Sequence, residues 1–289
     1  KIKYCVGCEL EKTDSELVDG CCPIHQNLRI EEIEEENYFF KLSKYQKPLL
    51  GLYKNNPDFV LPDFRFNEIK RFVEDGLRDF SISRLKEKMP WGVPVPGDDT
   101  QVMFVWFDAL VNYISTLGWP KDETKFKEFW PGIQIAGKDN LRQQSAIWQA
   151  MLMSADLPNS KQILIHGFIT IDGKKISKSL GNVIDPFKVI EKYSSEVVRY
   201  FLLREIPSGD DGDFSYKKLK ERYNGDLANG LGNLVQRVVT LIDDKMDGEL
   251  IYKSAKFKVK SGKLENYHKA IEEFKLHDAL GEVWKKVAE

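Results

Sequence analysis

Ile163-Leu164-Ile165-His166-Gly167-Phe168-Ile169-Thr170, running on into Ile171-Asp172-Gly173-Lys174-Lys175-Ile176-Ser177-Lys178-Ser179-Leu180-Gly181-Asn182, is the stretch on which the fold turns. Its first half is apolar, of strand length and too β-branched to prefer helix. Its second half is a polar loop bracketed by Asp-Gly and Gly-Asn. Upstream, residues 102–107 and 133–136 are apolar runs of the same kind, and residues 109–117 and 140–155 between them carry helical patterns. Strand, helix and strand in alternation predict parallel strands joined by crossover helices, an α/β sheet. Ligands of such sheets bind beyond the carboxyl ends of the strands.

Further out, residues 66–76 predict a short helix stopped by Gly76, and the proline-rich residues 90–99 a stiff irregular connection. Residues 186–205 predict one helix opened by Pro186. Residues 207–213, Pro-Ser-Gly-Asp-Asp-Gly-Asp, tempt a calcium reading. It fails, because with Gly212 as the turn glycine the first ligand position falls on Pro207. The stretch is read as a polar loop. From residue 223 the pattern is helical, with Leu227, Leu231, Leu234, Val238 and Leu241 as one buried stripe and Tyr267, Ala270, Ile271, Phe274 and Trp284 as a second. Two helices cannot bury such stripes alone, so further bundle partners are expected.

With 289 residues the chain can bury a substantial core in more than one domain. The net charge of −2 does not announce a nucleic-acid partner, which a local basic patch on an acidic body would still allow. No apolar run approaches membrane-spanning length. The chain starts at Lys1 beside a cysteine pair and stops in a helical pattern at Glu289, so both ends are expected to be cuts.

All cysteines fall in the first 22 residues, as Cys5, Cys8, Cys21 and Cys22. Such clustering reads as a metal site in a reducing compartment, here the cytoplasm, rather than a disulfide framework. Cys5-x2-Cys8 and Cys22-x2-His25 offer three thiolates and an imidazole to one tetrahedral ion, and zinc suits that donor set. Cys21 competes with Cys22, which keeps the two-residue spacing to His25. The surrounding residues 1–36 are acidic and poor in apolar side chains, so a structural metal would explain how they fold.

The lysine-rich loop has an electrostatic use. When a carboxylate attacks the α-phosphorus of ATP, negative charge builds on the departing pyrophosphate, and ammonium groups that engage it best in the transition state lower the barrier. Lysine supplies a compact charge on a long stem. The bland alternative is a solvated charged turn.

Lys175-Ile176-Ser177-Lys178-Ser179, with His166-Gly167-Phe168 before and Leu180-Gly181-Asn182 after, resembles the second signature of class I aminoacyl-tRNA synthetases in its methionyl-tRNA synthetase form. The resemblance covers nearly the whole chain. Asn37-Tyr38-Phe39-Phe40, Asp79-Phe80-Ser81-Ile82-Ser83-Arg84, Val105-Trp106-Phe107-Asp108-Ala109 and Gly137-Lys138-Asp139 appear in that family's order. It implies the C-terminal half of a Rossmann-like nucleotide-binding fold, carrying a zinc-knuckle insertion and an all-α anticodon-binding bundle. The implied domains are 1–36 (knuckle), 37–165 (catalytic α/β), 166–222 (lysine-loop, stem-contact) and 223–289 (helical).

The resemblance further implies Lys178 and Lys175 as catalytic lysines on the ATP phosphates, Gly137 and Asp139 at the ATP ribose, and Mg2+ accompanying ATP. It implies Trp106, Leu110, Tyr113 and Trp148 as the methionine pocket, whose aromatic wall suits a polarizable thioether. Asn233 and Arg237 would read the anticodon of tRNA(Met), and Arg84 would lie near the adenylate. Gln144 departs from the family, many members of which carry histidine there; a neutral hydrogen-bonding role is expected. The family's first signature, a His-Ile-Gly-His-like loop, has no counterpart here, so the isolated chain is expected not to form the adenylate. The implied activity is methionine-tRNA ligation. The isoleucine, valine, leucine and cysteine relatives, and a non-catalytic tRNA-binding derivative, are the alternatives.

Overall fold

The computed structural model describes residues 2–7, 10–12, 17–33, 36–176, 183–249 and 264–289. Cys8, Lys178 and the rest of 177–182 lie outside the described residues. Strands Val60–Leu61, Ile133–Gly137 and Gln162–His166 form one sheet with Gln162–His166 in the middle. Residues 138–161, which link the last two strands, carry the helix Trp148–Ser154, so the strand–helix–strand expectation is met here. The chain divides into two compact units, Lys1–Gln134 with Leu141–Ile163 and Ile135–Asn140 with Leu164–Glu289.

In the first unit, helix Asp63–Glu74 follows Pro62 and buries Ile69 and Val73, then gives way to Gly76, whose φ of 107° no side-chain-bearing residue adopts comfortably. The predicted helix therefore starts three residues earlier and stops where expected. Its neighbour Gln46–Asn55 buries Leu49 and Tyr53, and the Tyr53 hydroxyl donates to the Ser145 carbonyl at 2.7 Å. Ser145 lies in Gln143–Ile147, a π-helical turn that leads into Trp148–Ser154. Such wide turns recur at functional sites. Buried Gln149 is well satisfied: its amide donates to Gln144 O and Ser160 Oγ and accepts from Ser160 N.

The predicted strand at 102–107 is corrected. Strand Asp98–Met103 pairs antiparallel with Ser83–Leu85, and Val105–Ala109 is helical. Extended Phe104 separates them, and its carbonyl takes the first helical hydrogen bonds from Phe107 N and Asp108 N. The helix predicted at 109–117 is two short pieces, Val105–Ala109 and Asn112–Ser115. Residues 2–33 hold a small sheet in which Ile2–Cys5 pairs antiparallel with Leu10–Lys12 and Glu31–Ile33.

In the second unit, Ile169–Ile171 is a separate strand from Gln162–His166 and belongs to a different sheet. The single run read over 163–170 divides around Gly167, where the chain passes so close to the Asp210 backbone that a Cβ would fall 2.2 Å from it, an approach glycine permits. Ile169–Ile171 pairs antiparallel with Lys174–Lys175 and parallel with Gly212–Phe214. The helix predicted over 186–205 is two, Pro186–Tyr193 and Ser195–Glu205, broken at Ser194 with φ 71°. Asp185 caps the first by accepting from Phe187 N at 2.9 Å. These helices bury Val189, Val198 and Phe201 against Phe214 and Leu219.

Residues 223–246 are helical as expected, wide-turned over Tyr223–Gly232 and then α-helical over Asn233–Met246. Their stripe is not buried. Leu231, Leu234, Val238 and Leu241 are 42, 41, 46 and 59% exposed. Helices Glu265–Glu272 and Leu276–Ala288 follow, and the second stripe is buried only in part, through Ala270. Among the described residues no helix is long and apolar enough to cross a membrane.

Candidate functional site

In the first unit the helical pieces after Phe104 present Trp106, Leu110 and Tyr113 in succession, with Leu110 buried. The Tyr113 ring lies 6.1 Å from that of buried Trp148, which also meets Trp130 edge-on at 6.2 Å. Edge-on and offset rings are the favourable arrangement for aromatic pairs. Trp130 Nε1 donates to Pro158 O at 2.8 Å, fixing the outer ring. Tyr113 and Trp148 are thus brought together, with Trp106 and Leu110 on the segment that leads to Tyr113.

Gln144 Nε2 donates to the Tyr113 hydroxyl at 2.9 Å. That contact makes the neutral hydrogen-bonding role expected for Gln144 concrete. Its Oε1 is buried without a partner among the described residues, as are Trp106 Nε1 and Trp148 Nε1. A cavity of about 210 Å³ is lined by Phe107, Val111, Ile114, Trp119, Trp148 and Met151 among others; of the four predicted pocket residues only Trp148 lines it. Arg84 is buried, donating to Ser81 Oγ and Ser83 O at 2.7 Å and lying over the Phe104 ring at 4.0 Å.

In the second unit Gly137 ends its strand and Asp139 follows in the turn Lys138–Asn140. A Cβ at Gly137 would stand 2.7 Å from Asp139 Oδ1, so the glycine is what lets this exposed carboxylate fold over the strand end. Asp172 and Gly173, at φ 49° and 75°, close a two-residue hairpin between Ile169–Ile171 and Lys174–Lys175. Positive φ at both central residues is what such tight hairpins need, and Asp-Gly provides it. The backbone of Lys175 is thereby placed at the hairpin's end. Three residues were overlooked by reading the sequence alone. Lys138 Nζ donates to both Asp211 carboxylate oxygens at 2.7 Å, and Asp213 Oδ1 accepts from Gly173 N at 2.6 Å and Thr170 Oγ1 at 2.7 Å. The signals for them were the Gly137-Lys138-Asp139 motif, in which only the outer residues were given roles, and the acid-rich loop read as polar.

Cys5, Cys22 and His25 come together with their ligand atoms within 4.8 Å of one another. His25 Nδ1 is 3.8 Å from Cys5 Sγ and 3.9 Å from Cys22 Sγ. Cys22, not Cys21, joins the cluster; Cys21 pairs its backbone with Val18 instead. A Cβ at Gly7 would stand 2.6 Å from the His25 ring, so glycine there keeps the cradle open. Two buried soft thiols and an imidazole at this spacing fit a zinc ion, with Cys8 outside the described residues.

Asn233 and Arg237, one turn apart, line a cavity of about 340 Å³ together with Arg204, Asp226, Asn229 and Trp284. Tyr200 donates to Asp226 at 2.5 Å, and burial with that acidic partner pushes its phenol well above the ordinary value.

A family model described as tRNA synthetases class I (M) matches residues 2–239. Curated relatives named methionine–tRNA ligase include that of Thermosynechococcus vestitus, 48% identical over 86% of this chain and 47% of its own length. Another is that of Thermotoga maritima, 43% identical over 99% of this chain and 47% of its own length. The chain spans about half the length of the curated relatives it matches. Among solved structures, the methionyl-tRNA synthetase of Mycobacterium tuberculosis in complex with methionyl-adenylate superposes with a TM-score of 0.88 at 39% identity, over 99% of this chain and 58% of that one. The sequence motifs, the α/β sheet and these likenesses agree: the chain belongs to the M family of class I tRNA synthetases.

Proposed function

We propose that this chain is part of a methionine-tRNA ligase, which activates methionine with ATP to methionyl-adenylate and transfers it to tRNA(Met). The observation that carries the reading is the likeness, along 99% of the chain, to a methionyl-tRNA synthetase solved with methionyl-adenylate. In this reading Trp106, Leu110, Tyr113 and Trp148 hold the methionine side chain, the Tyr113 hydroxyl being the polar group among apolar surfaces. Gly137 and Asp139 take the ATP ribose, whose two hydroxyls a carboxylate can accept from. Lys175 and Lys178 stabilise the charge on departing pyrophosphate, with Mg2+ carried in by ATP. Asn233 and Arg237 hydrogen-bond base edges of the splayed anticodon loop. Residues 1–36 form a zinc knuckle, 37–165 the catalytic half-domain, 166–222 the lysine-loop domain and 223–289 the anticodon-binding bundle. The thiol-rich knuckle belongs in a reducing cytoplasm.

The zinc is structural. Cys5, Cys8, Cys22 and His25 would hold it, and what it supplies is the folding free energy that the apolar-poor residues around it lack. The test of the activity is methionine-dependent ATP–pyrophosphate exchange by the complete gene product. Lys178→Ala is expected to lower kcat by roughly 100-fold or more, the order found when one preorganised charge-stabilising group is removed. Exchange stimulated by isoleucine, valine, leucine or cysteine in place of methionine would overturn the reading.

A further inference from the structure

The acid-rich loop has a position in the fold that its composition does not suggest. Asp211 and Asp213 flank Gly212, at the start of strand Gly212–Phe214, and each reaches a segment assigned above to ATP. Asp211 accepts two hydrogen bonds from Lys138 at 2.7 Å and another from Phe168 N at 2.8 Å, while the Lys138 ammonium also lies over the Phe168 ring at 4.5 Å. Lys138 stands between Gly137 and Asp139. Asp213 is paired across the parallel ladder with Thr170 and holds the turn of the lysine hairpin through Gly173 N and Thr170 Oγ1.

The fit is close on both sides. A Cβ at Gly167 would strike the backbone of Asp210 and Asp211, and one at Gly212 would stand 2.3 Å from the Ile206 side chain. The Gly173 N–H bond, followed by that from Thr170, holds the Asp213 carboxyl below the usual carboxylate range, so the stronger charged acceptor is the form present at neutral pH.

We propose that Asp213 is a positioning residue for adenylate formation: by accepting from Gly173 N and Thr170 Oγ1 it sets the hairpin from which the lysine loop departs, while Asp211 moors the same strand to Lys138. The inference rests on the reading of the lysine loop as the pyrophosphate-stabilising element. A hairpin of two- and three-residue strands has little ladder of its own. Its orientation is therefore supplied by the neighbouring strand, through the parallel ladder, through Asp172 N donating to Phe214 O at 3.3 Å, and through the Asp213 side chain at the turn.

The test uses pyrophosphate exchange by the complete gene product. Asp213→Ala is expected to lower kcat about tenfold while the methionine KM stays within about twofold. Asp213→Asn, which keeps the Oδ1 acceptor, is expected to recover most of the loss. In a Lys178→Ala background, Asp213→Ala should cost little more, because the group being positioned is already gone. An unchanged kcat in Asp213→Ala, or an undiminished further loss in the Lys178→Ala background, overturns the proposal. If Asp213→Ala does not fold, Thr170→Val removes one donor at similar volume; about threefold lower kcat is expected, and an unchanged kcat overturns it equally. Normal turnover by Lys178→Ala alone sinks the reading of the loop and this inference with it, whereas a crippled Lys178→Ala beside an unaffected Asp213→Ala sinks the inference alone.

Discussion

Helices Trp148–Ser154 and Asn233–Met246 both carry apolar residues at spacings of three and four, and they meet opposite fates. In the first, Trp148, Gln149, Ala150, Met151 and Leu152 are all buried, the glutamine included, because its amide finds partners in Gln144, Asn159 and Ser160. In the second, among the described residues, no side chain is buried. Periodicity reports that a helix has an apolar face and is silent on whether anything covers it. Burial depends on the neighbours that the rest of the chain brings up, and for Trp148 these are Tyr113 and Trp130, 35 and 18 positions away.

The contrast predicts that the first helix governs stability and the second governs binding. The largest effect is expected at Trp148. Replacement by alanine removes a ring that is 1% exposed and should cost ~3–5 kcal/mol in denaturant unfolding, where a loss below about 1 kcal/mol would break the comparison. Next is Arg237→Ala, expected to weaken tRNA(Met) binding by ~1–3 kcal/mol and to leave unfolding and pyrophosphate exchange unchanged. A loss of stability comparable to that at Trp148 would show that the exposed helix is part of the core after all.

Tyr53→Phe probes the wide turn before the buried helix. It deletes the donor to Ser145 O, and ~0.5–1.5 kcal/mol of stability should go with it. Its pH dependence sharpens the assignment. Burial raises the Tyr53 phenol well above its ordinary value near 10, so the folded state keeps a proton that the unfolded chain sheds. This contribution is complete below pH 10 and is lost as pH climbs beyond it, and Tyr53→Phe should flatten the decline. The smallest effect is expected at Leu234, 41% exposed, where alanine should change unfolding by no more than ~0.5 kcal/mol.

Much of the chemistry was legible without coordinates because it resides in local order. The Asp-Gly bracket read at the start of the polar loop is where a tight hairpin closes, since such residues take positive φ cheaply at both central positions. The Cys-x2-Cys and Cys-x2-His spacing pointed to a metal cradle, and Cys5, Cys22 and His25 do converge. The strand–helix–strand over 133–166 followed from residue type and length. Local reading also misjudged some boundaries. The apolar run at 102–107 divides at Phe104 into strand and helix, and the run at 163–170 divides at Gly167 into strands of two sheets. In both cases hydrophobicity is continuous while the hydrogen-bonding partner changes.

Side-chain type, turn chemistry and short spacings are written residue by residue, and they were enough to identify the nucleotide-fold family, its lysine loop and its thiol cluster. Which partner each group meets is a matter of distance through space. That Asp213 reaches Gly173 across forty residues, that Gln144 finds Tyr113, and that Leu234 stays 41% exposed follow from how the elements pack. Hydrogen bonds and burial act over a few ångströms, and a linear sequence does not record which of its distant positions the fold brings that close.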